Sequence, residues 1–262
     1  MTYLLYRAQA WQTALILFTC MIATWIIGMI IGRRLTRMGK AVMGSKVGEA
    51  SLGLMGLLLG FTFAMAIEKH GTRREMVVQD ANAIGDFYTT ASLLKEPTRS
   101  NLQSVIRDYA RYRLDFVSRP APTEAQLDDA VAHINAMQTR MTDLVREAVN
   151  ANTPVVVPLV DTLNNLTSMH AARLAAARDR LQWPIVGLLA VSALVSTGLL
   201  GREQGIAGKR HYLSTVGFMS MIAFALYLTF DLNQPQRGLL RVSQEPMERL
   251  VKSIDQSPPS AP

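Results

Sequence analysis

Four long stretches without Asp, Glu, Lys or Arg constrain the fold of this chain more than any other feature. A helix needs about 20 apolar residues to cross the hydrocarbon core of a bilayer, which is roughly 30 Å thick. Three stretches reach that length and the second lies at its short end. They cover residues 11–32, 51–67, 181–201 and 211–230. The sequence therefore predicts an all-α integral membrane protein with four transmembrane helices.

The ends of these stretches favour a membrane over buried helices in a soluble protein. Trp11, Trp183 and Tyr212 lie near segment ends, where amphipathic rings prefer the headgroup zone. The first stretch is too long for the apolar core of a signal peptide, about 7–15 residues. Four basic residues follow it, namely Arg33, Arg34, Arg37 and Lys40. We expect it to be retained as the first transmembrane helix.

The net charge of +7 is also explained by a membrane location. Lys and Arg crowd the ends of the apolar stretches, where they meet anionic headgroups, and no basic–aromatic platform for nucleic acid is visible. The expected partner is the lipid bilayer rather than nucleic acid. The single cysteine, Cys20, lies inside the first stretch and is typical of a small apolar residue.

A helical domain outside the membrane is predicted between the second and third transmembrane helices. The second helix meets no proline until Pro97, so it is expected over 51–94, about 65 Å at 1.5 Å per residue. Apolar spacing predicts another helix over 98–118. Thr123 and Gln126 then form a capping box that begins the next one.

Proline residues predict the remaining boundaries. The helix that begins at Thr123 ends before Pro154. Another helix starts there and runs into the third transmembrane helix, with a kink at Pro184. Residues 252–262 have the composition of a disordered tail. The predicted division is 1–67 for two transmembrane helices and their basic loop, 68–180 for the helical domain, 181–231 for the last two transmembrane helices, and 232–262 for the C-terminal segment.

Charge also predicts the orientation. The short loops 33–50 and 202–210 are rich in Lys and Arg, and the positive-inside rule places such loops in the cytoplasm. The helical domain would then be periplasmic in a multi-pass protein of the bacterial plasma membrane. Basic residues also stand on the domain side, namely Lys69, Arg73, Arg74, Arg173, Arg178 and Arg180, so the opposite orientation stays open.

No catalytic constellation is visible. The four histidines are far apart in sequence and form no metal-binding spacing. We expect no enzyme activity, no cofactor and no metal site.

Glycines predict close helix contacts. Spacings of four residues let helix backbones approach in lipid. The candidate packing positions are Gly28, Gly32, Gly53, Gly56 and Gly60.

One face of the second helix changes character along its length. Bulky apolar residues give way to acidic ones at steps of three and four, which share a helix face. One interpretation is a packed helix with a solvated outer side. The other is a pore in an oligomer, where an apolar neck gates by dewetting and acidic rings favour cations. The neck candidates are Leu58, Phe61 and Met65, and the charged vestibule candidates are Glu68, Glu75 and Asp86.

Two segments carry a family resemblance. Residues 56–88, GLLLGFTFAMAIEKHGTRREMVVQDANAIGDFY, and 226–250, LYLTFDLNQPQRGLLRVSQEPMERL, resemble the bacterial and plant bestrophin-like family. The second segment contains a motif at Asp231, Pro235 and Gly238. Asp80 departs from the Glu expected of the family but keeps its charge.

The resemblance implies four transmembrane helices and a channel-like homo-oligomer. Bestrophins are pentameric anion channels gated by calcium, with their helical domain in the cytoplasm. The acidic face of the second helix argues against simple chloride selectivity. Inorganic ions are the further partners that a channel implies. The first functional hypothesis is a homo-oligomeric ion channel. The alternative is a non-conducting membrane sensor or scaffold that uses the helical domain for interactions.

Overall fold

A computed structural model describes residues 10–40, 46–119, 123–208, 212–233 and 240–256, and within these ranges it contains helices and no strand. The helices are α1 (Ala10–Arg37), α2 (Lys46–Ala91), α3 (Thr98–Ser118), α4 (Glu124–Asn150), α5 (Val156–Arg178), α6 (Trp183–Ala207), α7 (Tyr212–Leu232) and α8 (Glu245–Gln256). Four helical segments are long and apolar enough to span a membrane, the third counted over Val156–Ala207. The prediction of an all-α chain with four long apolar helices is confirmed.

The chain divides into two compact units, each built from two chain segments. Unit 1 comprises Met1–His70 and Arg180–Leu240, and unit 2 comprises Gly71–Asp179 and Arg241–Pro262. Helix α2 contributes its first part to unit 1 and its last part to unit 2.

In unit 1, α1 packs on α6 through glycines of both helices. A Cβ atom on Gly28 would lie 2.0 Å from the carbonyl oxygen of Gly198, and one on Gly32 would lie 2.2 Å from that of Arg202. Gly201 makes the reciprocal approach, 2.1 Å from the carbonyl oxygen of Trp25. No side chain fits at these positions, so small residues determine the contact.

Polar side chains join further helices of unit 1. Trp25 Nε1 donates to Gln204 Oε1 at 3.0 Å, and Gln204 Nε2 donates to Thr215 Oγ1 at 2.7 Å. Gln204 therefore links α1, α6 and α7. The hydroxyl oxygens of Ser51 and Ser196 lie 2.8 Å apart and link α2 to α6. Interhelical hydrogen bonds of this kind hold helices together in lipid.

Unit 2 has an apolar core made by α2, α3, α4, α5 and α8. Its most deeply buried members include Ile84, Phe87, Leu102, Ile106, Tyr109, Met141, Leu159, Leu166 and Met247. The predicted bounds of α3 agree with the structure. The capping box is also confirmed: Thr123 Oγ1 accepts from the backbone of Gln126, whose side chain accepts from the backbone of Thr123.

The structure corrects two helix boundaries. Helix α2 begins earlier than predicted, at Lys46, and ends at Ala91 rather than Leu94, because the chain enters a turn before Pro97. The predicted kinked helix through Pro184 is wrong: residues 179–182 are not helical, and Pro184 lies in the first turn of α6, where its missing N–H is not needed.

Two further segments are more helical than the sequence indicated. Helix α6 continues into the predicted loop and ends at Ala207, followed by Gly208 in a left-handed conformation with φ of 66°. Helix α8 extends to Gln256, so the predicted disordered tail begins too early at 252. Its Met247 and Ile254 are buried, and this burial stabilises a helix that composition alone did not indicate.

Candidate functional site

The part of α2 in unit 1 has one face that the described residues leave uncovered. Phe61 is 63% exposed, Leu54 57% and Met65 38%, all large apolar side chains. In the described part of the chain, no atom lies within 4 Å of an ideal Cβ on Gly53, Gly56 and Gly60. Within that part these three glycines serve no close contact, unlike Gly28 and Gly32. Leu58 differs from the other neck candidates, because it is half-buried against the core of unit 1.

Carboxylates occupy the same face farther along α2. Phe61, Glu68, Glu75 and Asn82 are seven residues apart, a spacing that keeps side chains on nearly one line of a helix. Glu68, Glu75, Asn82 and Asp86 are exposed. Glu75 Oε1 accepts a hydrogen bond from Gln79 Nε2 at 2.9 Å. The face thus runs from apolar side chains and bare glycine backbone to carboxylates that attract cations.

The opposite side of α2 carries a buried ion cluster that the sequence analysis missed. Asp80 is completely buried. Its Oδ1 accepts from Arg113 Nη1 of α3 at 2.7 Å, and its Oδ2 accepts from Arg173 Nη1 of α5 at 2.7 Å. One carboxylate therefore joins three helices of unit 2.

The two guanidiniums have further partners. Arg113 Nη1 donates to the Tyr109 hydroxyl at 3.0 Å, and Arg173 Nη2 donates to Gln244 Oε1 at 2.7 Å, just before α8. Burial by itself would lower the pKa of Arg113, but the Asp80 carboxylate and the Tyr109 hydroxyl together outweigh burial, and the pKa lies above its usual range. Burial raises the pKa of Tyr109.

A sequence signal for this cluster existed on α3. Leu102, Ile106, Tyr109 and Arg113 follow one another at steps of three and four and are all buried. Apolar spacing alone does not count position 113 in this stripe, because an arginine is ordinarily solvent-exposed. A charged residue at a helical step within an apolar stripe predicts a buried partner.

His170 of α5 lies beside the same cluster. Burial, followed by the positive charge of Arg113, lowers the pKa of His170 to about 4. An unfolded chain protonates this histidine below about pH 6.5, so the unfolded state binds more protons as the pH falls from about 6.5 to 4. Stability should therefore be lost across this window, and the loss is complete below it.

His170→Gln should remove that part of the acid sensitivity. Melting temperatures of the detergent-solubilised protein, measured between about pH 7.5 and 4, should fall less steeply for the variant than for the wild type. Near pH 7.5 the histidine is neutral in the folded and in the unfolded state. The fall in melting temperature is therefore measured for each protein relative to its own value at that pH. Parallel curves would contradict the assignment.

The C-terminal motif is described only at Asp231. This residue is buried, and its Oδ2 accepts from the backbone nitrogen of Leu240 at 3.0 Å. Pro235 and Gly238 lie outside the described residues. Nearby, Asn233 Oδ1 accepts from the backbone nitrogen of Leu181 at 2.8 Å, which satisfies a donor just before α6.

The described part of the chain contains no group of three or more His, Cys, Asp or Glu side chains that could hold a metal ion. The single cysteine, Cys20, is free and exposed.

Comparisons with known proteins agree with this architecture. The sequence matches the model of the Bestrophin-like domain family over residues 12–247. Similar solved structures come from a bacterial bestrophin homologue of Klebsiella pneumoniae. A tryptophan-to-alanine variant gives a TM-score of 0.71 at 12% identity, covering 95% of this chain and 96% of that chain. The form solved by zinc phasing gives 0.68 at 11% identity, covering 92% and 96%. No curated protein matches the sequence.

Four long apolar helices place the protein among multi-pass helical membrane proteins. The family match spans most of its length, and the chain belongs to the Bestrophin-like family. At 11–12% identity, the similarity to these solved structures shows the fold alone.

Proposed function

We propose that this protein is a homo-oligomeric ion channel in which α2 lines the pore. The observation that carries the proposal is the uncovered face of α2, with Phe61 exposed on a helix whose other side is packed. A face of glycine backbone and large apolar side chains is suited to contact with further copies of the chain in lipid. The resemblance to bestrophins, which are channels, supports the same function.

In this proposal the residues of the α2 face have separate roles. Phe61 and Met65 form a narrow apolar neck that excludes water when closed and conducts when slightly widened. Leu58 contributes less, because it is half-buried against the core. Glu68, Glu75 and Asp86 repeat around the symmetry axis as carboxylate rings, which raise the local cation concentration. The channel should therefore prefer cations.

Unit 2 is the domain outside the membrane in this proposal, inserted between the second and third transmembrane helices. Its part of α2 carries exposed carboxylates, and its core is built by helices that alternate polar and apolar sides. The protein resides in the bacterial plasma membrane. The lysine- and arginine-rich loops face the cytoplasm and unit 2 faces the periplasm.

Thiol labelling tests this orientation. A cysteine at Thr139, an exposed position on α4, is introduced into a Cys20→Ala background, because Cys20 is itself free and exposed. It should react with a membrane-impermeant reagent in intact cells. Labelling only after permeabilisation would place unit 2 in the cytoplasm, the orientation that the resemblance to bestrophins implies.

Gly60→Leu tests the contact between copies. Among the described residues no atom lies within 4 Å of an ideal Cβ at this position, so a disruptive effect of leucine points to a neighbouring chain. Most of the purified variant should run as smaller species in size-exclusion chromatography with light scattering. Gly217→Leu on α7, an exposed glycine with equally open surroundings, is the matched control and should assemble normally. Wild-type assembly of Gly60→Leu would contradict a close contact at this glycine.

Imaging of the purified protein in mild detergent tests the architecture directly. The expected result is a symmetric ring with α2 innermost and its narrowest point at Phe61. A monomer, or a ring with α2 turned to lipid, would leave the scaffold hypothesis ahead.

A further inference from the structure

The buried carboxylate of Asp80 attaches α2 at two points. Each of its oxygens accepts one hydrogen bond of 2.7 Å, one from Arg113 of α3 and the other from Arg173 of α5. Charge-assisted bonds to a guanidinium are directional, since the donor nitrogens have a fixed planar arrangement. An apolar contact at this position would tolerate rotation far better, because dispersion has no preferred direction.

Within unit 2, Asp80 also lies opposite the exposed face of α2. Successive residues of a helix are separated by about 100°, which puts Val78 and Asn82 about 160° from Asp80, and both are exposed. The attachment point and the exposed carboxylates of unit 2, Glu75 and Asp86, therefore lie on different sides of one helix, about 120–140° apart. A fixed Asp80 determines the direction in which these carboxylates point.

The guanidinium of Arg173 is itself held in place. Its Nη2 donates to Gln244 Oε1 at 2.7 Å, and the Gln244 amide in turn donates to the backbone oxygen of Val242 at 3.1 Å. Arg113 lies with its guanidinium carbon 5.3 Å from the centre of the Tyr109 ring, whose hydroxyl it also contacts. Neither arginine can follow a turning carboxylate without breaking a second contact.

We propose that Asp80 is a positioning residue that fixes the rotation of α2 about its axis. The inference rests on the proposed channel function, because the rotation of α2 in unit 2 sets where the vestibule carboxylates Glu75 and Asp86 point. The ion cluster then acts on conduction without touching the ions. Its contribution is the direction of these two carboxylates.

The test replaces the cluster by apolar side chains of similar volume, Asp80→Leu with Arg113→Met and Arg173→Met. Such replacements commonly keep a protein folded, since no unpaired charge remains. Spin labels at Asn82 of α2 and Thr139 of α4, in full-length Cys20→Ala protein diluted with unlabelled protein, report the distance between the two helices within one chain. A rotation of about 40° moves a side chain about 5 Å from the helix axis by roughly 3 Å.

The expected result is a melting temperature near that of the wild type, together with a distance that shifts by about 3 Å or becomes clearly broader. If the triple variant does not fold, Asp80→Asn is measured in the same way. An unchanged distance in either folded variant overturns the proposal. The control Asp143→Asn, which breaks an exposed ion pair with Arg146, should leave the distance unaltered.

The same samples separate this inference from the channel hypothesis. The reconstituted triple variant should show a reversal potential that differs from that of the wild type, because the vestibule carboxylates set the cation preference. If the distance shifts in the triple variant but both the variant and the wild type are electrically silent, the positioning role is supported and the channel is contradicted. An unchanged distance in protein that conducts contradicts the positioning role alone.

Discussion

Asp80→Asn is expected to lower the free energy of unfolding by about 3–5 kcal/mol, the usual effect of breaking a buried ion pair from one side. The substitution keeps the shape of the side chain but removes the negative charge between Arg113 and Arg173, both largely buried. Two guanidiniums then remain near each other without a carboxylate. Denaturant titration of the detergent-solubilised protein, followed by circular dichroism, measures the change.

Asp143→Asn is the matched control for this stability measurement. Asp143 forms an ion pair with Arg146 at 2.6 Å, but both side chains are exposed. Exposed pairs contribute little, because water and salt screen them. Equal effects of the two substitutions would mean that the Asp80 cluster is far more hydrated than its burial indicates.

Phe61→Ala should raise ion flux into liposomes by about tenfold, which corresponds to a barrier lower by about 1.4 kcal/mol. The ring is 63% exposed in the single chain and forms the apolar neck in the proposed oligomer. Its removal widens the neck and eases wetting. The change is measured with an ion-sensitive dye trapped in the vesicles.

Two further variants isolate the neck effect. Phe224→Ala removes the same ring from an exposed position of α7, and it should leave the flux unaltered. Glu68→Gln should keep the flux barrier and shift the reversal potential away from cation preference, since it removes a charge next to the neck. A tenfold rise for Phe224→Ala would point to general damage of the membrane helices.

Local signals made much of the fold predictable. A charge-free stretch of membrane-spanning length needs no partner to be recognised. The capping box of Thr123 and Gln126 is a contact between residues three apart, and it appears as predicted. Helix α3 follows directly after Pro97, and its apolar spacing reaches Ser118. These features depend on neighbouring residues alone.

The features that sequence reasoning missed depend on residues far apart in the chain. The break before α6 lies where Arg73 Nη2 donates to the carbonyl oxygen of Asp179 at 2.6 Å, and no local pattern predicts that bond. Asp80 meets Arg113 and Arg173 only after three helices have packed. The apolar spacing of α8 is typical of a helix, but the proline-rich residues that follow it give residues 252–262 the composition of a disordered tail.

The glycines include one spacing that sequence reasoning placed correctly and one whose partner it could not identify. The spacing of Gly28 and Gly32 predicted close approach, and each lies against the α6 backbone. The same kind of spacing at Gly56 and Gly60 has no close partner among the residues that the structure describes. Spacing alone does not distinguish a contact within one chain from a contact between copies, and the proposal of an oligomer rests on this difference.

Electrical recording from the purified wild-type protein in planar bilayers tests the central claim most directly. In a salt gradient the protein should produce discrete conductance steps, with a reversal potential that indicates cation preference. Phe61→Ala, recorded alongside, should increase the open probability. If assembled wild-type protein and Phe61→Ala are both silent, the channel hypothesis is contradicted and the alternative of a non-conducting sensor or scaffold is favoured.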